Sequence, residues 1–242
     1  MYRLRPPRRR AVGRYAELVG ADSASERGAR PVSPTGRPAP PTGEEPNVGE
    51  VSRARKAATL ILLRDTVGGP EVLLVRRNPR QRFMGGAWVF PGGATHSDDG
   101  GDAQTATREL EEEAGITLAA GAELVRFSRW ITPAEVSVRF DTHFFLARAP
   151  EGAHAQVDGS ECVEARWLRP QDALDAGARD ELELVFPTIK HLEQLAELPT
   201  VEDALAAARD RKVLPVQPRV LMEGGVAQVA MPGEPGYDSP SP

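Results

Sequence analysis

The segment Arg108–Ile116 reads RELEEEAGI and gathers several glutamates within a single predicted helix. Glu109 precedes Glu112 by three residues and Glu113 by four, and this spacing places the three carboxylates on one helix face. Like charges at such a spacing cost about 0.2–0.5 kcal/mol per pair. The rest of the sequence must therefore supply something that offsets the repulsion.

The same helix is amphipathic. Its apolar stripe is offset from the glutamates by about a third of a turn and consists of Ala103, Ala106, Leu110 and Ala114. The helix can therefore pack its apolar edge against a sheet while its carboxylates face a cleft. A hard divalent cation such as Mg²⁺ takes oxygen ligands and compensates their mutual repulsion. On the helix alone, a metal site and a solvated acidic face both stay open.

A glycine turn upstream favours the metal site. Phe90–Gly93 reads FPGG and ends a short predicted strand, 87–91. Glycines let backbone carbonyls and amides approach an ion or a phosphate closely. A strand, a glycine turn, a polar loop and an acidic helix in succession thus place bare backbone beside the carboxylates.

These two segments together resemble the Nudix box. The box runs from a glycine, through a spacer with a central glutamate, to Arg-Glu-apolar-X-Glu-Glu-X-Gly-apolar. Its second half is matched without a gap by Arg108, Glu109, Leu110, Glu112, Glu113, Gly115 and Ile116. The spacer from the turn is one residue longer than the pattern and lacks the central glutamate. Asp98 and Asp99 lie near that place, and their roles and that of Asp102 stay open; one interpretation of Asp102 is the helix N-cap.

The resemblance implies a fold and a chemistry. The fold is the α/β (α+β) Nudix fold, a mixed β-sheet sandwiched between helices, here with a C-terminal helical segment and a terminal hairpin. The chemistry is hydrolysis of a diphosphate bond by water attack at phosphorus. One or more Mg²⁺ or Mn²⁺ ions would be held by Glu109, Glu112, Glu113 and the backbone carbonyl of Gly92, and Arg108 would orient a glutamate.

The family also draws a further carboxylate from a distant loop. Glu161 is the predicted residue, because it stands in the turn just before the strand that begins at Cys162. Glu164 and Glu135 compete for the role, and a solvated loop glutamate is the other interpretation. No ligand spacing links the four histidines, so none is expected to bind the metal.

The sequence upstream of the turn indicates a substrate. It resembles the motif of the coenzyme A (CoA) diphosphatase branch at Leu73, Leu74, Arg77, Arg82, Gly86 and Phe90–Gly93, with Val75 in place of Thr and Asn78 in place of Ser or Ala. Arg77, Arg82 and Gly86 are therefore predicted to bind substrate. A cluster of Arg76, Arg77, Arg80 and Arg82 would meet the 3′-phosphate of CoA, unless it is merely a solvated basic turn.

Two further functions stay open beside hydrolysis of CoA or acyl-CoA to 3′,5′-ADP and a phosphopantetheine. One is hydrolysis of another nucleoside diphosphate derivative, such as ADP-ribose, a dinucleotide or a damaged nucleoside triphosphate. The other is a non-catalytic nucleotide-sensing module, against which the surviving box glutamates argue. Trp130 and Phe140 are candidate walls of an adenine or acyl pocket, with core packing as the alternative.

Composition limits the remaining classes. The 242 residues are 40% hydrophobic and 27% charged with net charge −5, a soluble balance that argues against nucleic-acid binding. Cys162 is the single cysteine, which excludes an internal disulfide, and it is predicted to be a core or strand residue. No apolar run suffices for a membrane span, so a cytoplasmic location is expected. The oligomeric state stays open, with a homodimer as one alternative.

Three regions differ in composition. Residues 1–52 are rich in Arg, Pro and Gly and are predicted to be a disordered arm, 53–232 form the Nudix domain, and 233–242 form a flexible tail. Within the domain, apolar runs at 58–65 and 71–77 predict a hairpin across a glycine turn. Further strands are predicted at 87–91, 123–131, 138–149 and 162–170, and helices at 103–114, from 171, around 183–195 and at 200–210, before a terminal hairpin.

Overall fold

The computed structural model describes residues 47, 50–223 and 226–238. The strands are β1 (Arg55–Thr66), β2 (Gly69–Arg77), β3 (Trp88–Val89), β4 (Gly92–Ala94), β5 (Val125–Ile131), β6 (Phe140–Arg148), β7 (Cys162–Leu168), β8 (Pro215–Val216), β9 (Arg219–Glu223) and β10 (Val226–Ala230). The helices are α1 (Asp102–Ala114), α2 (Pro170–Ala178), α3 (Phe186–Leu195) and α4 (Val201–Arg209). The predicted arm lies almost wholly outside the described residues, as does the end of the predicted tail from 239 onward.

The strands form a mixed sheet in the order β3-β2-β1-β6-β5-β8, with β4 also paired to β1 and β7 to β2. β1 is the central strand, because it pairs with β2 and β4 on one side and with β6 on the other. Its run of Leu and Ile is almost entirely buried, as expected for a strand covered on both faces. The predicted first hairpin is confirmed by the register that places Leu63 opposite Val72.

Helices cover both faces of this sheet, as the sequence predicted. Leu60 and Leu62 of β1 pack toward α1, whereas Ile61 and Leu63 pack toward α2, α3 and α4. The alternation follows from the two-residue period of a strand. Full burial of each such side chain contributes about 1.5–3 kcal/mol, so the two cores fix α1 firmly against the sheet.

The ends of α1 differ from expectation at one point. The helix stops at Gly115, whose φ of 64° is left-handed and whose N–H donates to the carbonyl of Glu111. At the other end Gly101 is the N-cap, without a side-chain cap bond. The interpretation of Asp102 as N-cap was therefore wrong: Asp102 is the first helical residue, and its carboxylate lies 2.5 Å from Nδ1 of His143 on β6.

Of two further elements, one was predicted only in part. α3 begins at Phe186 with Pro187 in its first turn, rather than near Glu183, because proline is suited to a helix start. The terminal hairpin is confirmed by the pairing of β9 with β10, in which Val220 lies opposite Val229. None of the helices in the described ranges has the length and apolarity that a membrane crossing requires.

Candidate active site

Side chains of α1 lie directly against the main chain of the glycine turn. In β4, Gly92 pairs with Thr59 and Gly93 with Ala58. A Cβ on Gly93 would collide with the carboxylate of Glu109, and one on Gly92 would collide with the hydroxyl of Thr59. Both positions therefore need glycine for space, and the diglycine lets the helix carboxylates touch the main chain.

Two of the helix carboxylates are buried at this contact. Glu109 is 6% and Glu113 is 2% exposed. Burial raises the pKa of Glu113 to about 7, although the Gly92 N–H and the Arg77 guanidinium favour its charged form. Burial also raises the pKa of Glu109, against the pull of Arg108. Both groups are desolvated carboxyl groups whose charged form a nearby cation would stabilise.

Arg108 joins the helix carboxylates to the lengthened spacer. Its Nη1 donates to Glu109 Oε1 at 2.9 Å and to Glu112 Oε2 at 2.7 Å. Its Nε and Nη2 donate to the two oxygens of Asp99, at 2.9 and 3.0 Å. Asp99 also accepts from the hydroxyl of Thr105, and the bonds from Arg108 hold its pKa well below the usual range. Asp99 therefore anchors the arginine.

The carboxylates open into a cleft of about 410 Å³. One part of its lining is charged and consists of Arg77, Arg108, Glu109, Glu112, Glu113 and Glu161. The other part is largely apolar and includes Phe83, Met84, Phe140, Phe144, Val185 and Pro187. A cleft with these two parts suits a ligand that joins a charged group to a large, less polar one.

A family comparison agrees with this arrangement. The model of the NUDIX domain matches residues 54–188, which include the glycine turn, α1 and the cleft. The chain belongs to the Nudix family. The Nudix fold expected from the sequence is thereby confirmed.

Individual Nudix relatives are similar at moderate identity. The chain is 26% identical over 191 residues to "Putative nudix hydrolase 7" of Caenorhabditis elegans, covering 62% of this chain and only 64% of that relative's length. The crystal structure of a NUDIX hydrolase from Alicyclobacillus acidocaldarius has a TM-score of 0.57 and 30% identity, covering 64% of this chain and 96% of that one. The NUDIX domain of Shewanella oneidensis NrtR, solved with ADP ribose, has a TM-score of 0.50 at 19% identity, with 60% and 88% covered, and shows the fold alone.

The Nudix box carboxylates fit a hard cation by chemistry. They offer oxygen ligands only, and two of them are buried beside a backbone that glycine leaves open. Among the described residues, however, no three His, Cys, Asp or Glu side chains already converge as a metal cluster. Arg108 holds Glu109 and Glu112, while Glu113 accepts from the N–H of Gly92 at 2.9 Å. The donors are thus present but engaged with protein partners.

The structure separates the three candidates for the distal carboxylate. Glu161 lines the cleft, and its charge is among the causes that raise the pKa of Glu109. Glu164 instead pairs with Arg166 at 2.5 Å, and Glu135 lies 3.7 Å from Arg219. Neither of these two glutamates is part of the cleft lining. The geometry therefore favours Glu161, whose catalytic role stays a prediction.

The turn before Glu161 has a definite conformation. The carboxylate of Asp158 accepts the backbone N–H groups of Glu161 and Cys162, each at 2.9 Å. The carbonyl of Glu161 accepts the N–H of Asn78 at 2.8 Å. Cys162 is fully buried, as predicted, and burial raises the pKa of its thiol. The loop that carries Glu161 is therefore tied to β2 and β7.

The predicted four-arginine cluster does not exist as one site. Arg76 and Arg77 are neighbours on β2, so strand alternation directs them to opposite faces. Arg77 lines the cleft, with Nη1 3.8 Å from Glu113 and Nε donating to the carbonyl of Phe83. Arg76 lines a second groove beside Glu164, while Arg80 and Arg82 are exposed and outside the cleft lining.

Gly86 also lies outside the cleft lining, although a substrate-binding role was predicted for it. Its φ of 88° is left-handed, and its N–H donates to the carbonyl of Arg77 at 3.1 Å. It borders the second groove, together with Arg76 and Trp88. Glycine is favoured at this position because its left-handed φ belongs to the turn that brings Phe83 and Met84 over the cleft.

The two candidate wall residues lie in different parts of the structure. Phe140 lines the cleft, and its ring centroid lies 5.7 Å from that of Phe83. Trp130 is instead a core residue, 6% exposed and edge-on to Phe186. Phe83 and Met84 were not predicted from the sequence, because apolar residues within a turn carry no periodic signal.

Proposed function

We propose that this Nudix protein hydrolyses the diphosphate bond of a nucleoside diphosphate derivative, and that its substrate is CoA or an acyl-CoA. The products are 3′,5′-ADP and (acyl-)4′-phosphopantetheine. One observation carries the proposal: two desolvated carboxylates, Glu109 and Glu113, lie against the bare backbone of Gly92 and Gly93 at the charged end of the cleft.

A divalent cation, Mg²⁺ or Mn²⁺, completes the proposed site. Nudix hydrolases generally use divalent metal ions. Glu109, Glu112, Glu113 and the carbonyl of Gly92 are the residues that would hold the ion. When bound, it supplies positive charge against the diphosphate and makes water more acidic. Glu112 is the most exposed of the three carboxylates, at 57% of its side chain, and is therefore the one freest to leave Arg108.

The remaining residues act on the substrate and the attacking water. Arg77 presents a guanidinium to the charged end of the cleft, where it neutralises a phosphate oxygen. Glu161 accepts the proton of the water that attacks phosphorus. As the new P–O bond forms, the bond to the bridging oxygen breaks and the second phosphate leaves as an anion. General-base catalysis of this kind contributes about 10²–10⁴-fold.

Two features support CoA among the diphosphates. The motif residues Arg77, Phe90, Gly92 and Gly93 lie at the cleft, in the spacing that resembles CoA diphosphatases. The apolar part, with Phe83, Met84 and Phe140, continues directly from the carboxylates. A substrate with a diphosphate between a nucleoside and an apolar arm matches this division.

A substrate panel tests the proposal. Purified protein with Mg²⁺ or Mn²⁺ is incubated with CoA, acyl-CoA, ADP-ribose, a dinucleoside polyphosphate and an oxidised nucleoside triphosphate. Mass spectrometry identifies the products. We expect 3′,5′-ADP from CoA or acyl-CoA. If another compound is hydrolysed but neither CoA nor acyl-CoA is, the substrate assignment is wrong. If no compound is hydrolysed in the presence of metal, the proposed hydrolase activity is wrong.

A further inference from the structure

Arg55 stands on the cleft face of the central strand. Ala57 and Thr59 of β1 line the cleft, and the two-residue period of a strand places Arg55 on the same face. In the parallel register with β6, Arg55 lies beside Phe140, which also lines the cleft. The Arg55 guanidinium carbon is 4.7 Å from the centroid of the Phe140 ring. The aromatic ring thus supports the cation at the border of the cleft.

The strand on the other side brings a second basic residue to the same place. β4 pairs with β1 so that Ala94 lies opposite Ala57. The N–H of Thr95 donates to the carbonyl of Lys56 at 2.9 Å, so the ladder continues by one residue. Strand β4 ends at Ala94, and the same register extended to His96 would place it opposite Arg55. His96 is exposed and lines the cleft on the β4 side of β1, whereas Phe140 lies on the β6 side.

The charge of Arg55 is not neutralised within the described part of the chain. Arginines elsewhere on the sheet are paired, for example Arg64 with Glu71 and Arg129 with Asp141, each at 2.6 Å. Arg55 has no carboxylate within ion-pair distance among the described residues. An exposed guanidinium held on an aromatic face keeps its planar set of donors available for an anion.

We propose that Arg55 and His96 form an anion subsite that binds a phosphomonoester on the nucleoside half of the substrate. Thr59, beside Gly92, and Arg55 are four residues apart on β1, or about 13 Å along the strand. The long side chain of Arg55 can cover part of the distance to Thr59. A ribose that bears a 5′-diphosphate and a second phosphate can therefore contact both ends of the cleft.

This inference rests on the proposed diphosphatase function and specifies what the site selects. Arg55 would also be the phosphate-binding cation that was predicted among the arginines after β2. Arg55 is not itself a lining residue, but its guanidinium stacks on Phe140, which lines the cleft together with His96. Substrates with a ribose phosphate are preferred over the same molecules without it.

Paired substrates test the subsite. CoA and dephospho-CoA differ only in the 3′-phosphate, so kcat and KM are measured for both with wild type and Arg55→Gln. We expect Arg55→Gln to lose about ten- to a hundredfold in kcat/KM for CoA, mainly through KM, and nothing for dephospho-CoA. Lys56→Gln is the matched control, because Lys56 is adjacent on β1 and points to the other face. Arg55→Lys keeps the charge and recovers part of the loss.

A binding measurement separates the subsite from the chemistry. Calorimetric titration of 3′,5′-ADP and of 5′-AMP requires no turnover. Wild type should prefer 3′,5′-ADP, and Arg55→Gln should lose that preference, whether or not CoA is hydrolysed. Equal affinity of wild type and Arg55→Gln for 3′,5′-ADP overturns the subsite even if the enzyme is active. An equal loss of kcat/KM for CoA and dephospho-CoA also overturns it, because the residue then acts on the cleft and not on the phosphate.

Discussion

The carboxylate of Glu113 accepts a hydrogen bond from the backbone N–H of Gly92 at 2.9 Å. This bond ties the last turn of α1 to the glycine turn that precedes the helix. It holds a buried acid against open main chain, and burial raises the pKa of that acid to about 7. The two halves of the Nudix box therefore meet as a single unit.

The glutamates of α1 should differ sharply in their importance for turnover. Glu112→Gln and Glu113→Gln each remove an anionic oxygen ligand, and we expect kcat to fall by about two to four orders of magnitude. Glu111→Gln is the matched control, because Glu111 is exposed and absent from the cleft lining. Mn²⁺ binding, followed by electron paramagnetic resonance, should weaken in the first two variants only. Wild-type turnover in Glu112→Gln would remove the metal assignment.

The space at Gly93 should be indispensable. Gly93→Ala places a methyl group on the carboxylate of Glu109, so either the turn or the helix must shift. We expect a loss of stability of about 1–3 kcal/mol, together with a large loss of activity. Gly68→Ala is the control, because a Cβ there meets nothing closer than 3.7 Å. Urea denaturation and turnover are measured for both variants; an active, stable Gly93→Ala protein contradicts the close approach.

Asp99 should matter although it is not expected to bind metal. Asp99→Asn removes the charge that pairs with Arg108, and we expect activity or metal affinity to fall by about ten- to a hundredfold. Asp98→Asn serves as control, because the Asp98 side chain accepts a hydrogen bond from the adjacent Ser97 and does not contact Arg108 in the described residues. If both variants retain full activity and metal affinity, Asp99 does not position the arginine.

Substitutions of Glu161 and of the nearby Glu164 test which residue is the distal base. Glu161→Gln should reduce kcat by about 10²–10⁴-fold with little change in thermal stability, since the side chain is exposed. Glu164→Gln loses only its pairs with Arg166 and Arg76 and should turn over normally. Steady-state kinetics with CoA compares them. A reversed order of effects would assign the base to Glu164.

Acid should destabilise the protein through His191. This histidine is fully buried among aromatic rings, and burial, aided by the charge of Arg211, lowers its pKa to about 3. The unfolded chain binds its proton near pH 6.5, so the stability is fully present above that pH and is lost as pH falls toward about 3. The slope from this group approaches about 1.4 kcal/mol per pH unit.

Urea denaturation at several pH values between 7 and 4 measures that slope. His191→Phe should flatten the dependence of the unfolding free energy on pH, whatever its effect at pH 7. His154→Asn provides the comparison, since His154 is exposed. An unchanged slope in His191→Phe would show that other groups cause the acid sensitivity.

Local signals were sufficient for most of the elements. The apolar run of β1, the alternation of β6 and the spacing of glutamates on α1 each reflect an interaction between residues that are close in sequence. β4 was missed, because Gly92–Ala94 has no strand propensity and pairs with β1 only in the folded chain. Asp102 was misassigned for a similar reason, since its partner His143 is on β6.

The sequence by itself determined the family, the helix with its acidic face and the need for glycine beside it. Their physical basis is short-range: helical periodicity, steric freedom and like-charge repulsion. Only the tertiary structure decided which groups share the cleft. It placed Glu161 and not Glu164 in the cleft lining, divided Arg76 from Arg77, moved Trp130 into the core and stacked Arg55 on Phe140. These outcomes depend on strand register and sheet order, which join residues far apart in the chain and leave no local signature.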